Sequence, residues 1–84
     1  MAWYWELMGK GEWWLLLDDD GFTDPMGCVK KTRGVIPYLA EVEGSKKKRF
    51  FEYLTDAKIA VESYYGIKIT KKRKGNKSKW TRLV

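Results

Sequence analysis

The chain has no histidine, a single cysteine (Cys28) and two prolines in 84 residues. One cysteine excludes an intramolecular disulfide framework, and without histidine there is no Cys/His zinc site and no imidazole acid–base pair. No apolar run approaches the 18 residues a membrane helix needs. The opening Met1-Ala2-Trp3-Tyr4-Trp5-Glu6 lacks the basic region and apolar stretch of a signal peptide. The expected location is therefore cytoplasmic or nucleoid-associated, in a reducing compartment.

What is present is aromatic side chains and charge. The composition is 44% hydrophobic and 15% aromatic, enough for one small core. Lysine and arginine number 17 against 11 acids, for a net charge of +6. The balance is uneven along the chain. Residues 1–29 carry six acids and one base, a net −5, whereas residues 30–84 carry sixteen bases and five acids, a net +11. A basic surface of that density attracts polyanions, nucleic acid first, unless it serves only solubility.

Two aromatic-rich strands are expected first, over 2–8 and 12–17, joined by Gly9-Lys10-Gly11. Asp18 to Pro25 reads as a loop. Three adjacent aspartates invite a calcium reading, but a calcium loop with Gly21 as its glycine would begin at Leu16 and end at Gly27, and neither is a ligand. Further strands are expected over 26–32, 36–43 and 46–53. In the second of these, Tyr38, Ala40 and Val42 share one face and Leu39, Glu41 and Glu43 the other. In the third, Arg49, Phe51 and Tyr53 lie opposite Lys48, Phe50 and Glu52, and Phe51 and Tyr53 are expected beneath the helix.

The period then changes. Thr55 is a candidate N-cap, with Leu54 before it placed to staple onto Ile59, and Asp56 suits the positive end of the helix dipole. Ala57, Ala60, Val61 and Tyr64 form one stripe of a helix over 55–65, which Gly66 stops. Ile67 to Thr70 can form a short last strand, and residues 71–84 read as a basic tail. The expected fold is α+β: a small antiparallel sheet of four to six strands, one helix packed on one face, and that tail. Residues 1–70 form a single domain, with an aromatic acidic hairpin over 1–22 and three strands plus the helix over 26–65.

Catalysis finds no support in this inventory. Cys28 has no histidine to activate it and reads as a small buried hydrophobe, and no phosphate-cradling glycine loop is present. No cofactor or metal is expected. Binding is better supported. Basic clusters occur at Lys30, Lys31 and Arg33, at Lys46 to Arg49, at Lys71, Lys72, Arg73 and Lys74, and at Lys77, Lys79 and Arg82. Such groups neutralise phosphates and release counterions, while neighbouring rings such as Phe50 can stack on bases.

Three strands followed by an alanine-rich helix, with Ala40-Glu41-Val42 in the second strand and Phe50 to Tyr64 spanning the third strand and helix, resemble a known pattern. It is that of the Apetala/ethylene-response-factor DNA-binding domain and the related arm-binding domains of phage integrases. The resemblance implies that the sheet, rather than the helix, meets the major groove. It implies basic contacts from Lys30 and Lys48, an aromatic contact from Phe50, and a groove-facing acid in Glu41. Thr32 and Glu43 stand where that family uses arginine, which implies fewer bidentate guanine contacts. The expected function is non-enzymatic nucleic-acid binding, DNA before RNA. The site would comprise Lys30, Lys31, Arg33, Glu41, Lys48, Arg49, Phe50 and the tail bases Lys71, Lys72, Arg73, Lys74, Lys77 and Lys79. The alternative is a small protein-interaction module or inhibitor, for example phage-encoded, that meets its partner through Trp3, Trp5, Trp13 and Trp14. Those tryptophans could instead form a second core on the far side of the sheet.

Overall fold

The computed structural model describes residues 2–71. Five strands run in chain order as one antiparallel meander: β1 (Ala2–Gly9), β2 (Glu12–Asp19), β3 (Phe22–Lys31), β4 (Tyr38–Val42) and β5 (Lys48–Phe51). One helix, α1 (Leu54–Tyr64), crosses one face of the sheet over β3, β4 and β5. The protein is thus a small α+β fold. Among the described residues no helix is long and apolar enough to cross a membrane.

The stretch 18–25 is strand and turn rather than loop. β2 runs on to Asp19, and Asp20 and Gly21 alone reverse the chain, with φ of 51° and 84°. Two consecutive positive φ values make the tight hairpin turn whose twist matches its strands, and Asp-Gly is a sequence that adopts it. Pro25 is tolerated within β3 because the register slips beside it: Leu15 faces Gly27 but Leu16 faces Pro25, leaving Met26 as the extra residue of a bulge.

Register sorts the side chains into two faces. Trp3, Trp5, Trp13, Leu15, Val29, Tyr38, Ala40, Val42 and Phe51 lie on the helix side, around a core of Leu15, Val29, Ala40, Ala57 and Val61. The helix is too narrow to cover five strands. Over β1 and β2 its place is taken by the three indoles together with Tyr65 and Ile67. Trp3 and Tyr65 meet at a 40° tilt with ring centroids 5.1 Å apart, and Trp13 meets Tyr38 at 6.1 Å. The tryptophans therefore do not build a second core on the far side. Among the described residues, three of them extend the single core and Trp14 alone lies on the opposite face, its Nε1 donating to Glu12 Oε1 at 2.6 Å.

The helix begins one residue earlier than its sequence predicts. Tyr53, in extended backbone, occupies the cap position without a side-chain cap bond, and Thr55 is already helical. Leu54 is drawn into the helix because it packs on the core, so it does not serve as a staple residue ahead of the cap. Tyr53 itself is largely exposed rather than core. The buried stripe is Leu54, Ala57 and Val61, continued past the helix end by Tyr65. Tyr64 turns outward at 63% exposure. Tyr65 takes the inner place because its ring packs at a tilt against Trp3 and its hydroxyl donates to Met26 O at 2.6 Å. The end of the helix is as expected: Gly66 has φ 70°, its N–H reaches Ser63 O, and the N–H of Ile67 reaches Glu62 O.

Residues 67–70 form no strand. The backbone N–H groups of Ile67, Ile69 and Thr70 go instead to Glu62, which is 1% exposed. Its carboxylate accepts from Trp5 Nε1 at 2.7 Å, from Ile69 N at 2.9 Å and from Thr70 N at 3.1 Å, and also from the Thr70 hydroxyl at 2.5 Å. One acid side chain thereby ties β1, α1 and the post-helix segment together.

Close approach of helix to sheet depends on Gly27. A Cβ there would stand 2.6 Å from Val61 Cγ1 and 2.9 Å from Glu41 O. Gly27→Ala is expected to lower stability by about 1–3 kcal/mol through overpacking, read as a lower Cm in urea unfolding. An unchanged Cm would mean the helix can shift outward at no cost.

Candidate nucleic-acid interface

The sheet face away from the helix carries Tyr4, Glu6, Trp14, Leu16, Cys28, Lys30, Leu39, Glu41, Lys48 and Phe50. Their order follows from the ladder. One row reads Glu12, Lys30, Leu39, Phe50 from β2 to β5. The next reads Glu6, Trp14, Cys28, Glu41, Lys48 from β1 to β5. Phe50 is 53% exposed, a large ring held by an edge strand with no helix above it.

The four residues singled out by resemblance, Lys30, Glu41, Lys48 and Phe50, thus share this open face. Lys30 and Glu41 are diagonal neighbours, with Nζ 3.9 Å from Oε1, and both are partly exposed. The pair is worth little as a stabilising contact, but it fixes where the lysine head lies. Lys30 and Lys48 are two strands and two residues apart, which by strand spacing and rise is about 12 Å.

The remaining expected site residues are placed elsewhere. Arg49 alternates to the helix side, where its guanidinium lies 5.2 Å from the Phe51 ring centroid. Lys31 pairs with Tyr38 on that same side, exposed at the sheet end, and its N–H bonds Gly11 O at 2.7 Å. Arg33 lies exposed in the connection between β3 and β4, and Lys71 is exposed at the last described position. Lys72, Arg73, Lys74, Lys77 and Lys79 lie outside the described residues, as do the rest of the expected tail.

Sequence reasoning did not place Trp14 and Cys28 on this face, which they join. Strand parity would have found them once β2 and β3 were aligned through the Asp20-Gly21 turn. Cys28 is half-buried rather than fully buried. Burial, then the nearby Glu41 carboxylate, raise its thiol pKa above the ordinary value, with Lys30 acting in the other direction. A thiol so placed stays protonated at neutral pH and is a poor nucleophile. Beside it lies a groove of about 210 Å³ lined by Trp14, Pro25, Cys28, Glu41 and Glu43. Its two acids make it unwelcoming to phosphate. Among the described residues no cluster of three or more acids, cysteines or histidines could hold a metal ion.

Charge divides this face in two. The β1–β2 half bears Glu6, Glu12 and Asp18 and no base, whereas the β3–β5 half bears Lys30 and Lys48 beside Glu41. The connections on either side of β4 add Arg33 at one end and Lys46 and Lys47 at the other. Among the described residues, the strand bases on this face thus lie in the half of the sheet farthest from β1. No protein-family model, no curated protein and no solved structure matches this chain.

Proposed function

We propose that the protein binds nucleic acid without catalysing a reaction on it, DNA before RNA, through the open face of β3–β5 and the basic residues that follow the helix. One observation carries the reading: the register puts Lys30, Leu39 and Phe50 in one row, with Lys48 in the next, on the face the helix leaves open. Sheet strands can read the major groove, and its width of about 12 Å is comparable to the separation of the two lysines across β3–β5. Lys30, Lys48, Arg33, Lys46 and Lys47 hold phosphates. Phe50 and Leu39 supply apolar contact to bases or thymine methyl groups. Glu41 both orients Lys30 and offers an acceptor to a cytosine amino group. The bases of residues 71–79 add sequence-independent charge.

The reading as a protein-interaction module through the tryptophans has less behind it. Trp3, Trp5 and Trp13 pack against the core, and only Trp14 faces away from it.

Fluorescence anisotropy with labelled duplex and single-stranded DNA at 50 and 200 mM salt tests the proposal. Affinity is expected to fall steeply between them. Lys30→Ala/Lys48→Ala is expected to flatten the log–log salt slope by about 0.9 for each duplex phosphate that is no longer neutralised. Arg49→Ala, on the other face, is expected to leave affinity nearly unchanged. Salt-independent affinity, or an Arg49→Ala loss equal to that of the double variant, would remove the sheet face from the site.

A further inference from the structure

We infer that β1 is a self-association edge, pairing antiparallel with β1 of a second copy about a twofold axis at Trp5. This inference does not depend on the nucleic-acid reading, which concerns the other end of the sheet.

The two edges of the sheet are built differently. β5 is four residues long and carries Lys48 and Arg49. β1 is eight residues long and holds no proline, lysine or arginine, and Glu6 is its one charge. Among the described residues nothing pairs with its outer side. A long edge without proline or lysine is one that invites another strand. Exposed apolar groups gather there too: Leu7 is 62% exposed and Met8 50%.

Self-complementarity selects the second copy and the register. An antiparallel pair keeps the helix-side residues of both chains on one face only if residues of the same parity oppose each other. Centring on Glu6 would set two carboxylates face to face. Centring on Trp5 sets Trp5 against its own copy, Trp3 against the partner's Leu7, and Tyr4 against the partner's Glu6. The register shift between Leu7 and Gly9 then ends the pairing at Met8. The same twofold brings oppositely charged turns together. Lys10, the one base in residues 1–29, lies in the β1–β2 turn, and Asp18, Asp19 and Asp20 lie at the other end of the hairpin. Antiparallel pairing carries each Lys10 to the level of the partner's Asp20, about 10 Å away backbone to backbone, within reach of a lysine side chain. Parallel pairing would instead set the three aspartates of one copy beside those of the other.

Sedimentation velocity on the full chain across a concentration series tests this with three variants. Tyr4→Glu puts like charges directly opposite at Glu6, twice per dimer, whereas Tyr4→Lys puts opposite charges there, and both remove the same ring. Wild type is expected to dimerise, Tyr4→Lys to dimerise at least as well, and Tyr4→Glu to raise the dissociation constant tenfold or more. Lys10→Glu, in an exposed turn that tolerates substitution, is expected to weaken the dimer without changing the melting of the monomer. A monomeric wild type at all concentrations, equal behaviour of the two Tyr4 variants, or a Lys10→Glu dimer as tight as wild type would each overturn the inference. If either Tyr4 variant fails to fold, amide exchange on the wild type decides. Protection rising with concentration at alternate β1 residues supports the edge, and protection indifferent to concentration sinks it.

Discussion

Ala57→Glu is expected to unfold the protein. Ala57 has no exposed surface and lies on the inner face of α1, in one cluster with Val29, Ala40 and Val61. A glutamate there must bury a carboxylate or push the helix off the sheet. An uncompensated buried charge costs several kcal/mol. Domains of this size have only about 4–13 kcal/mol in total, at 0.05–0.15 kcal/mol per residue. The expected outcome is loss of the cooperative thermal transition by circular dichroism. The control lies one turn along the same helix. Ala60 is half-buried and lines a cleft of about 340 Å³ with Lys47 and Arg49 at its rim. A glutamate at Ala60 reaches solvent and two cations, so Ala60→Glu is expected to cost less than about 1 kcal/mol. If both variants unfold, the helix is seated more tightly than its burial pattern implies. If Ala57→Glu melts like wild type, the helix does not pack on this face.

That contrast also marks how far the sequence could be read. Periodicity placed a helix on a sheet and gave Ala57 and Val61 as buried, because spacing by three and four is a local property of the chain. The alternation within β4 and β5 was legible for the same reason, but only the resemblance grouped Lys30, Glu41, Lys48 and Phe50, and their common face follows from the cross-strand register. Failures came where a distant partner decides. Tyr64 and Tyr65 both fit a helical stripe, and the choice between them rests on Trp3 and the Met26 carbonyl, some 40 to 60 residues away. The extended path through Pro25 depends on a bulge opposite Leu15 and Leu16, which no property of Pro25 announces. The tryptophans of β1 and β2 looked excessive for one small core because the width of the sheet was unknown. Five strands leave room on the helix side that only large rings fill. For the candidate site, the alternation of Arg49 and Lys48 was readable, but the crowding of acids onto the β1–β2 half was not. It requires knowing that the hairpin joins the same sheet.

Glu62 is the residue whose role was least visible in the sequence, where no motif or spacing singles it out, and its replacement is expected to have the second-largest effect. Its buried carboxylate meets four donors from Trp5, Ile69 and Thr70, and among the described residues it has no ion-pair partner. Burial by itself works to raise its pKa. The hydrogen bonds from Thr70, Ile69 and Trp5 outweigh that and hold the carboxyl below its ordinary value of 4.5. A folded pKa below the unfolded one means the charged form is stabilised by folding, so this contribution is fully present above pH 4.5 and is lost as pH falls through the folded value. Glu62→Gln keeps the volume and one acceptor oxygen but turns an NH₂ toward donors, leaving at least one buried N–H or O–H unmatched. The expected loss at pH 7 is about 2–4 kcal/mol, since hydrogen bonds to a charged group are worth about 1.5–3 kcal/mol each and an orphaned donor adds its own desolvation cost. Urea unfolding at pH 7 and again below pH 4 is the measurement. The wild type's advantage over Glu62→Gln should shrink on acidification, because protonated glutamate and glutamine present the same deficit to those donors. Amide exchange at Ile69 and Thr70 should speed up in the variant at pH 7, ahead of exchange in β2 and β3, since the post-helix segment is released first. An advantage that stays constant or grows as pH falls would show that the carboxylate charge is not what holds this segment to the helix.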